Sequence, residues 1–175
     1  MSTAHTTALL SEKEFLNLPE YQGKQELLDG ELIEMPPAKD THTLYSLQFF
    51  RVLDAVVPKR RLRLEGGYRL RRKRWLIPDV SITWPNQRKE DDWLQGAPML
   101  AIEIVSPANS RKLIERKVRL YFEDGAAEVW MFSPKTRELV VHRPNVTHTV
   151  APDADYVCEL LGITITAADR TLEDE

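Results

Sequence analysis

A single cysteine, Cys158, stands among 175 residues, so the chain can form no internal disulfide and no cysteine-rich zinc site. That scarcity fits a reducing compartment, and a cytoplasmic location is expected. Glycine is also sparse at seven residues, which excludes a collagen-like chain, and a hydrophobic content of 42% excludes a disordered one. No apolar run approaches the ~18 residues that a membrane helix needs. Met1 to Leu10 show no basic stretch leading into an apolar one, so neither a secretory leader nor a membrane partner is expected. The length suits one ordinary domain spanning 1–175, with a core over about 11–168 and an acidic C-terminal tail at 169–175.

The net charge of −3 conceals two opposed regions. Residues 59–74, KRRLRLEGGYRLRRKR, hold nine basic residues and one acid, while the remainder carries 15 basic and 26 acidic residues. Asymmetry on that scale points to a polyanion partner. Alternation turns Leu62 and Leu64 inward and Arg61 and Arg63 outward. With Arg69, Arg71, Arg72, Lys73 and Arg74 they form a candidate grip on a nucleic-acid backbone, flanked by Tyr68 and Trp75 for stacking. The competing reading is an edge hairpin whose charges prevent aggregation.

Local patterns predict mixed α/β structure in one domain. Ser11 and Glu14 have the spacing of a capping box at the start of a short helix. Asp29-Gly30, between two short apolar runs, predicts an N-terminal hairpin. Leu44, Leu47, Phe50 and Leu53 predict a helix from Asp40 to about Val57, stopped by Pro58. Strands are expected at about 62–71, 75–84 and 98–106, with 85–98 as an exposed, mobile connection. A helix over 110–124 has Ser110 as its N-cap and Gly125 past its end. Three short strands follow at 128–132, 138–142 and 147–150.

Three residues contradict the pattern around them. Glu103 sits inside MLAIEIVSP, apolar on both faces, and an unpaired buried carboxylate is not tolerated. Asp79 repeats the anomaly in WLIPDVSITW. Lys117 falls within the apolar stripe Leu113, Ile114, Val118, Leu120, Tyr121, and so needs an anionic partner or a depressed pKa. Two carboxylates on adjacent strands would hold a hard cation, for which Mg²⁺ is well suited, with Lys117 closing the site. Taken singly, each has a plainer explanation. Asp79 can cap a turn after Pro78, Glu103 can pair with an arginine of the basic segment, and Lys117 can extend its ammonium to water.

Together these residues match a family. Asp79 within Pro78-Asp79-Val80, followed by Glu103 on a further strand, resembles the PD-(D/E)XK nuclease signature. The ordered blocks QELLDGELIEMPP, His42, PDVSITW, LAIEIVSP, Lys117 and EVWMFSP resemble the bacterial restriction endonuclease family of Uma type over roughly residues 11–168. The resemblance implies a restriction-endonuclease-like core, a mixed β-sheet flanked by α-helices, and Mg²⁺- or Mn²⁺-dependent hydrolysis of DNA phosphodiesters. It also implies Asp79, Glu103 and the Ile104 backbone carbonyl as metal ligands, with Lys117 catalytic. Val105 occupies the signature's lysine position, and Lys117 matches the lysine that this family takes from the following helix. Leu113 and Gln25 depart from the acidic and aromatic residues usual at those positions. Glu26, Glu31 and His42 are auxiliary candidates, although a solvated strand face accounts for the glutamates and a surface role for the histidine. By analogy DNA and a second copy of the chain are the expected partners, and no small-molecule organic cofactor is expected. A DNA-binding module without turnover, and a self-associating structural protein, are the alternatives.

Overall fold

The structure is a computed structural model that describes residues 9–71, 73–106 and 109–172. Helix α1, Glu12–Leu16, starts at Ser11, whose side chain accepts from the Glu14 N–H while the Glu14 carboxylate accepts from the Ser11 N–H. Strands β1, Lys24–Leu28, and β2, Glu31–Met35, form the expected hairpin. Asp29 at φ 55° and Gly30 at φ 92° both lie in the left-handed region, as a tight hairpin turn requires. Helix α2, Asp40–Asp54, ends slightly before the expected Val57.

Next come β3, Leu62–Leu64; β4, Tyr68–Leu70; β5, Arg74–Leu76; and β6, Val80–Ile82. The strands expected to be continuous at 62–71 and 75–84 are not. Each splits in two, and its halves join different sheets. One six-stranded sheet takes the order β2-β1-β5-β4-β8-β7, where β7 is Lys89–Glu90 and β8 is Trp93–Gln95. Those two short strands form a hairpin inside the segment expected to be a mobile loop. The other six-stranded sheet runs β12-β11-β10-β9-β6-β3, with β9 at Leu100–Ile104, β10 at Glu128–Phe132, β11 at Leu139–Arg143 and β12 at Val146–Val150. The chain crosses between the sheets at 65–67 and again at 77–79, so 59–74 is not one edge hairpin.

Strands β9 and β10 are parallel, so a crossover must link them, and helix α3, Arg111–Glu123, provides it. The Ser110 hydroxyl accepts from the Leu113 N–H at its start, and Gly125 follows its end at φ 101°. One core lies between α2 and the β9–β10 sheet around Phe49, Trp130 and Phe132. A second lies on the sheet's opposite face, where Val118, Leu120 and Tyr121 of α3 meet Leu28, Tyr68 and Leu76 of the first sheet. This mixed α/β architecture agrees with the expected class. The acidic tail expected at 169–175 begins inside the fold, since Arg170 is fully buried. Strands β13, Tyr156–Cys158, and β14, Ile163–Ile165, pair and bury Tyr156, Cys158 and Ile165 in the α2-side core. Residues 173–175 lie outside the described structure.

Candidate active site

The second sheet-to-sheet crossing places the misfit charges together. In β1, Lys24, Glu26 and Leu28 share one face by strand alternation, turned toward α3 and the β9 sheet. Glu26 is fully buried, which corrects the solvated-face reading of this residue. Its Oε1 accepts from the Ile77 N–H at 2.8 Å, fixing the crossing strand, and from Lys117 Nζ at 3.0 Å. Two residues on, Asp79 precedes β6. The β6–β9 register pairs Val80 with Ile102, and one further step sets Asp79 opposite Glu103.

Lys117 lies on the buried face of α3, as its stripe position predicts. Its ammonium reaches Glu103 Oε1 at 2.7 Å as well as Glu26. Tyr121, one helical turn later, donates its hydroxyl to the same Glu103 oxygen at 2.7 Å. On the other side, Asp79 Oδ2 accepts from the Ile104 N–H at 2.7 Å and lies 3.0 Å from His42 Nε2. Asp79 Oδ1 accepts from Lys24 Nζ at 2.5 Å. The structure therefore joins Glu103 and Lys117 directly, sets Asp79 beside Glu103, and adds Glu26 and His42. Glu31 pairs instead with Arg116, at 2.5 Å.

Sequence reasoning overlooked Lys24 and Tyr121. The signal for Lys24 was its i, i+2 spacing from Glu26, which puts both on the face of a strand whose other end is apolar. Tyr121 gave no local signal, because an aromatic residue in an apolar helix stripe reads as core.

Burial is the largest influence on the Glu103 carboxyl and pushes its pKa up to about 7, with Lys117 opposing the rise and Asp79 and Glu26 adding to it. Burial works against the Lys117 ammonium, but Glu103 and Glu26 outweigh it and hold its pKa above that of an ordinary lysine. Lys24 follows the same pattern, with burial opposed by Asp79 and Glu103. Tyr121 is raised well above a free phenol, first by burial and then by Glu103, so it remains a hydrogen-bond donor.

Among the described residues, no three His, Cys, Asp or Glu side chains are grouped to hold a metal by themselves. A hard cation would need main-chain help, and the residues present fit that requirement. The N–H and carbonyl of a strand residue point the same way, so the bond from Ile104 N–H to Asp79 directs the Ile104 carbonyl to Asp79's side. Two carboxylates and that carbonyl make an all-oxygen donor set of the kind Mg²⁺ accepts.

The basic segment has a different fate. Arg74 is 6% exposed and lies against Asp29, Glu123 and Asp124. Burial of Arg74 corrects its assignment to a surface grip. Arg71 pairs with Asp124 and Arg69 with Glu12, while Arg61 bonds the Thr83 carbonyl. Tyr68 and Trp75 are buried and offer no exposed stacking face. Arg63 is half-buried and Lys73 is exposed. Arg72 lies outside the described residues.

The sequence profile of the Uma2 family, described as putative restriction endonuclease, matches residues 12–168. The chain belongs to this family. A crystal structure described as a putative nuclease belonging to DUF820, from Anabaena variabilis, superposes on this Uma2 chain with a TM-score of 0.82. The two are 24% identical, and the match covers 92% of this chain and 97% of the other. At that identity the likeness concerns the fold, which is nuclease-like. No curated protein sequence matches this Uma2 member significantly. None of its helices is long and apolar enough among the described residues to cross a membrane.

Proposed function

We propose that this chain is a Mg²⁺- or Mn²⁺-dependent endonuclease hydrolysing DNA phosphodiester bonds, with a PD-(D/E)XK-type site at Asp79, Glu103 and Lys117. The observation that carries this reading is the buried meeting of Asp79, Glu103, Glu26 and Lys117 where the two sheets part. Asp79, Glu103 and the Ile104 carbonyl would hold the cation, which supplies Lewis acidity toward a phosphodiester oxygen. Lys117 keeps its proton, and its Nζ would donate to the phosphate oxygen that gains charge or to the attacking water. Glu26 and Tyr121 hold Lys117 and Glu103 in register. His42, on Asp79, orients that carboxylate.

Backbone contact falls to basic side chains of 59–74 that retain exposure, Lys59, Arg60, Arg63 and Lys73 among them, in a cytoplasmic homodimer that cuts both strands. The test is plasmid cleavage with Mg²⁺ or Mn²⁺ by the wild type, Asp79→Ala, Glu103→Ala and Lys117→Ala. Equal cutting by all four proteins would refute the site. One observation favours a second reading, a DNA-binding module without turnover. Lys24 already neutralises Asp79, so that carboxylate has a counter-cation without a divalent ion. Salt-sensitive DNA binding that survives Asp79→Ala, without nicking, would support it.

A further inference from the structure

Lys24 is the charged residue of this network that neither the signature nor the sequence pattern assigns. Its ammonium makes the closest ionic contact in the site, 2.5 Å to Asp79 Oδ1, with 13% of its side chain exposed and 4% of that of Asp79. The other Asp79 oxygen is already engaged by the Ile104 N–H and His42. Among the described residues, Oδ1 has Lys24 as its one hydrogen-bond partner. A divalent ion using Asp79 would approach that same oxygen at roughly 2.0–2.1 Å for Mg²⁺. Two cations on one carboxylate oxygen in a poorly solvated site repel strongly.

We infer that Lys24 is a built-in counter-cation that competes with the divalent ion for Asp79 and must withdraw before the metal is seated. This rests on the metal-site reading proposed above. The structure supplies a place for the withdrawn ammonium. Glu65, 62% exposed at the first sheet-to-sheet crossing, lies 3.8 Å from Lys24 Nζ on the solvent side. The Glu65 N–H bonds the Asp79 carbonyl at 3.0 Å, so this second acid is tied to the first. Lys24 thus stands between a buried and an exposed carboxylate. A small movement of its long stem exchanges one for the other. An incoming phosphodiester would add a third anion near the exposed position, so substrate would favour withdrawal and metal loading together.

The test is Mn²⁺ affinity without DNA, read from the electron paramagnetic resonance of free Mn²⁺, for the full chain and its variants. Lys24→Met and Lys24→Gln remove the competing charge and should bind Mn²⁺ about ten- to hundredfold more tightly than the wild type, while Lys24→Arg should not. Lys24→Gln keeps a polar contact to Asp79 and serves if Lys24→Met does not fold. Unchanged or weaker Mn²⁺ binding by the neutral variants, with binding still lost in Asp79→Ala, overturns the competition and leaves the metal site standing. Mn²⁺ binding that is equal in the wild type, Asp79→Ala and Glu103→Ala overturns the metal site, and the competition with it.

Discussion

Two charge-rich regions of this molecule turn out differently. Residues 59–74 attract notice by number, with nine basic side chains in one stretch. The buried network of Lys24, Glu26, Asp79, Glu103 and Lys117 shows itself only by position, through the three members Asp79, Glu103 and Lys117 that stand as single charges inside apolar strands or an apolar stripe. In the structure much of the first group serves the fold. Arg74 joins α3 to the β1–β2 turn through Asp29, Glu123 and Asp124, and Arg71 bonds both the side chain of Asp124 and the carbonyl of Glu123. The second group is drawn together from β1, the β5–β6 crossing, β9 and α3. A surface charge can be abundant at little cost, whereas a buried one persists only where partners compensate it. Position was therefore a better guide to the site than number.

The two regions should differ most when the buried network is cut. Asp79→Ala or Glu103→Ala should lower Mg²⁺-dependent plasmid cleavage by roughly 10²–10³-fold or more, while far-ultraviolet circular dichroism shows the fold retained. Cleavage that survives in both variants would return these residues to a structural role.

The basic segment should answer in stability. Arg74→Met leaves Asp29, Glu123 and Asp124 without their shared cation, and urea unfolding should show a loss of about 3 kcal/mol. A stable Arg74→Met variant with weakened DNA binding would mean that this arginine faces a phosphate after all.

Proton competition offers a finer distinction. The Glu103 carboxyl titrates near 7 because burial favours its neutral form, and a cation needs the carboxylate. Mn²⁺ affinity should therefore rise with pH, by up to about tenfold per unit below pH 7, and level off above it. The same shift has the opposite sign for metal-free stability. A raised carboxyl pKa contributes stability at low pH, which is lost as pH rises from the ordinary glutamate range toward 7. Opposite pH trends for Mn²⁺ binding and metal-free stability would mark Glu103 as their common origin.

The smallest effect belongs to Arg63. Arg63→Gln should leave unfolding within about 0.5 kcal/mol of wild type and reduce the salt-dependence slope of DNA binding by about 1. An unchanged slope would remove this residue from the proposed interface.

Much of the fold was legible where the cause is local. The capping box at Ser11, the Asp29-Gly30 turn, the Ser110 cap and Gly125 each act within a few residues, and each element formed where expected. The pairing of β3 with β6, and of β4 with β5 and β8, was not legible. Period-two alternation marks a strand and leaves its partner unspecified. The same limit hid the division of 75–84 at Pro78 and the pairing of β13 with β14. Within the candidate site, Glu103, Asp79 and Lys117 were visible because each breaks an apolar pattern. Lys24 was not, since a lysine at the start of a strand looks solvated until the opposing strand is known.

On the proposed reading, the charges between the two sheets form one divalent-cation site. Anomalous diffraction from a Mn²⁺-soaked crystal tests it most directly. A divalent site here gives a peak bounded by Asp79, Glu103 and the Ile104 carbonyl, with Lys24 displaced from Asp79. An empty site in the presence of saturating Mn²⁺, with Lys24 still on Asp79, would contradict it.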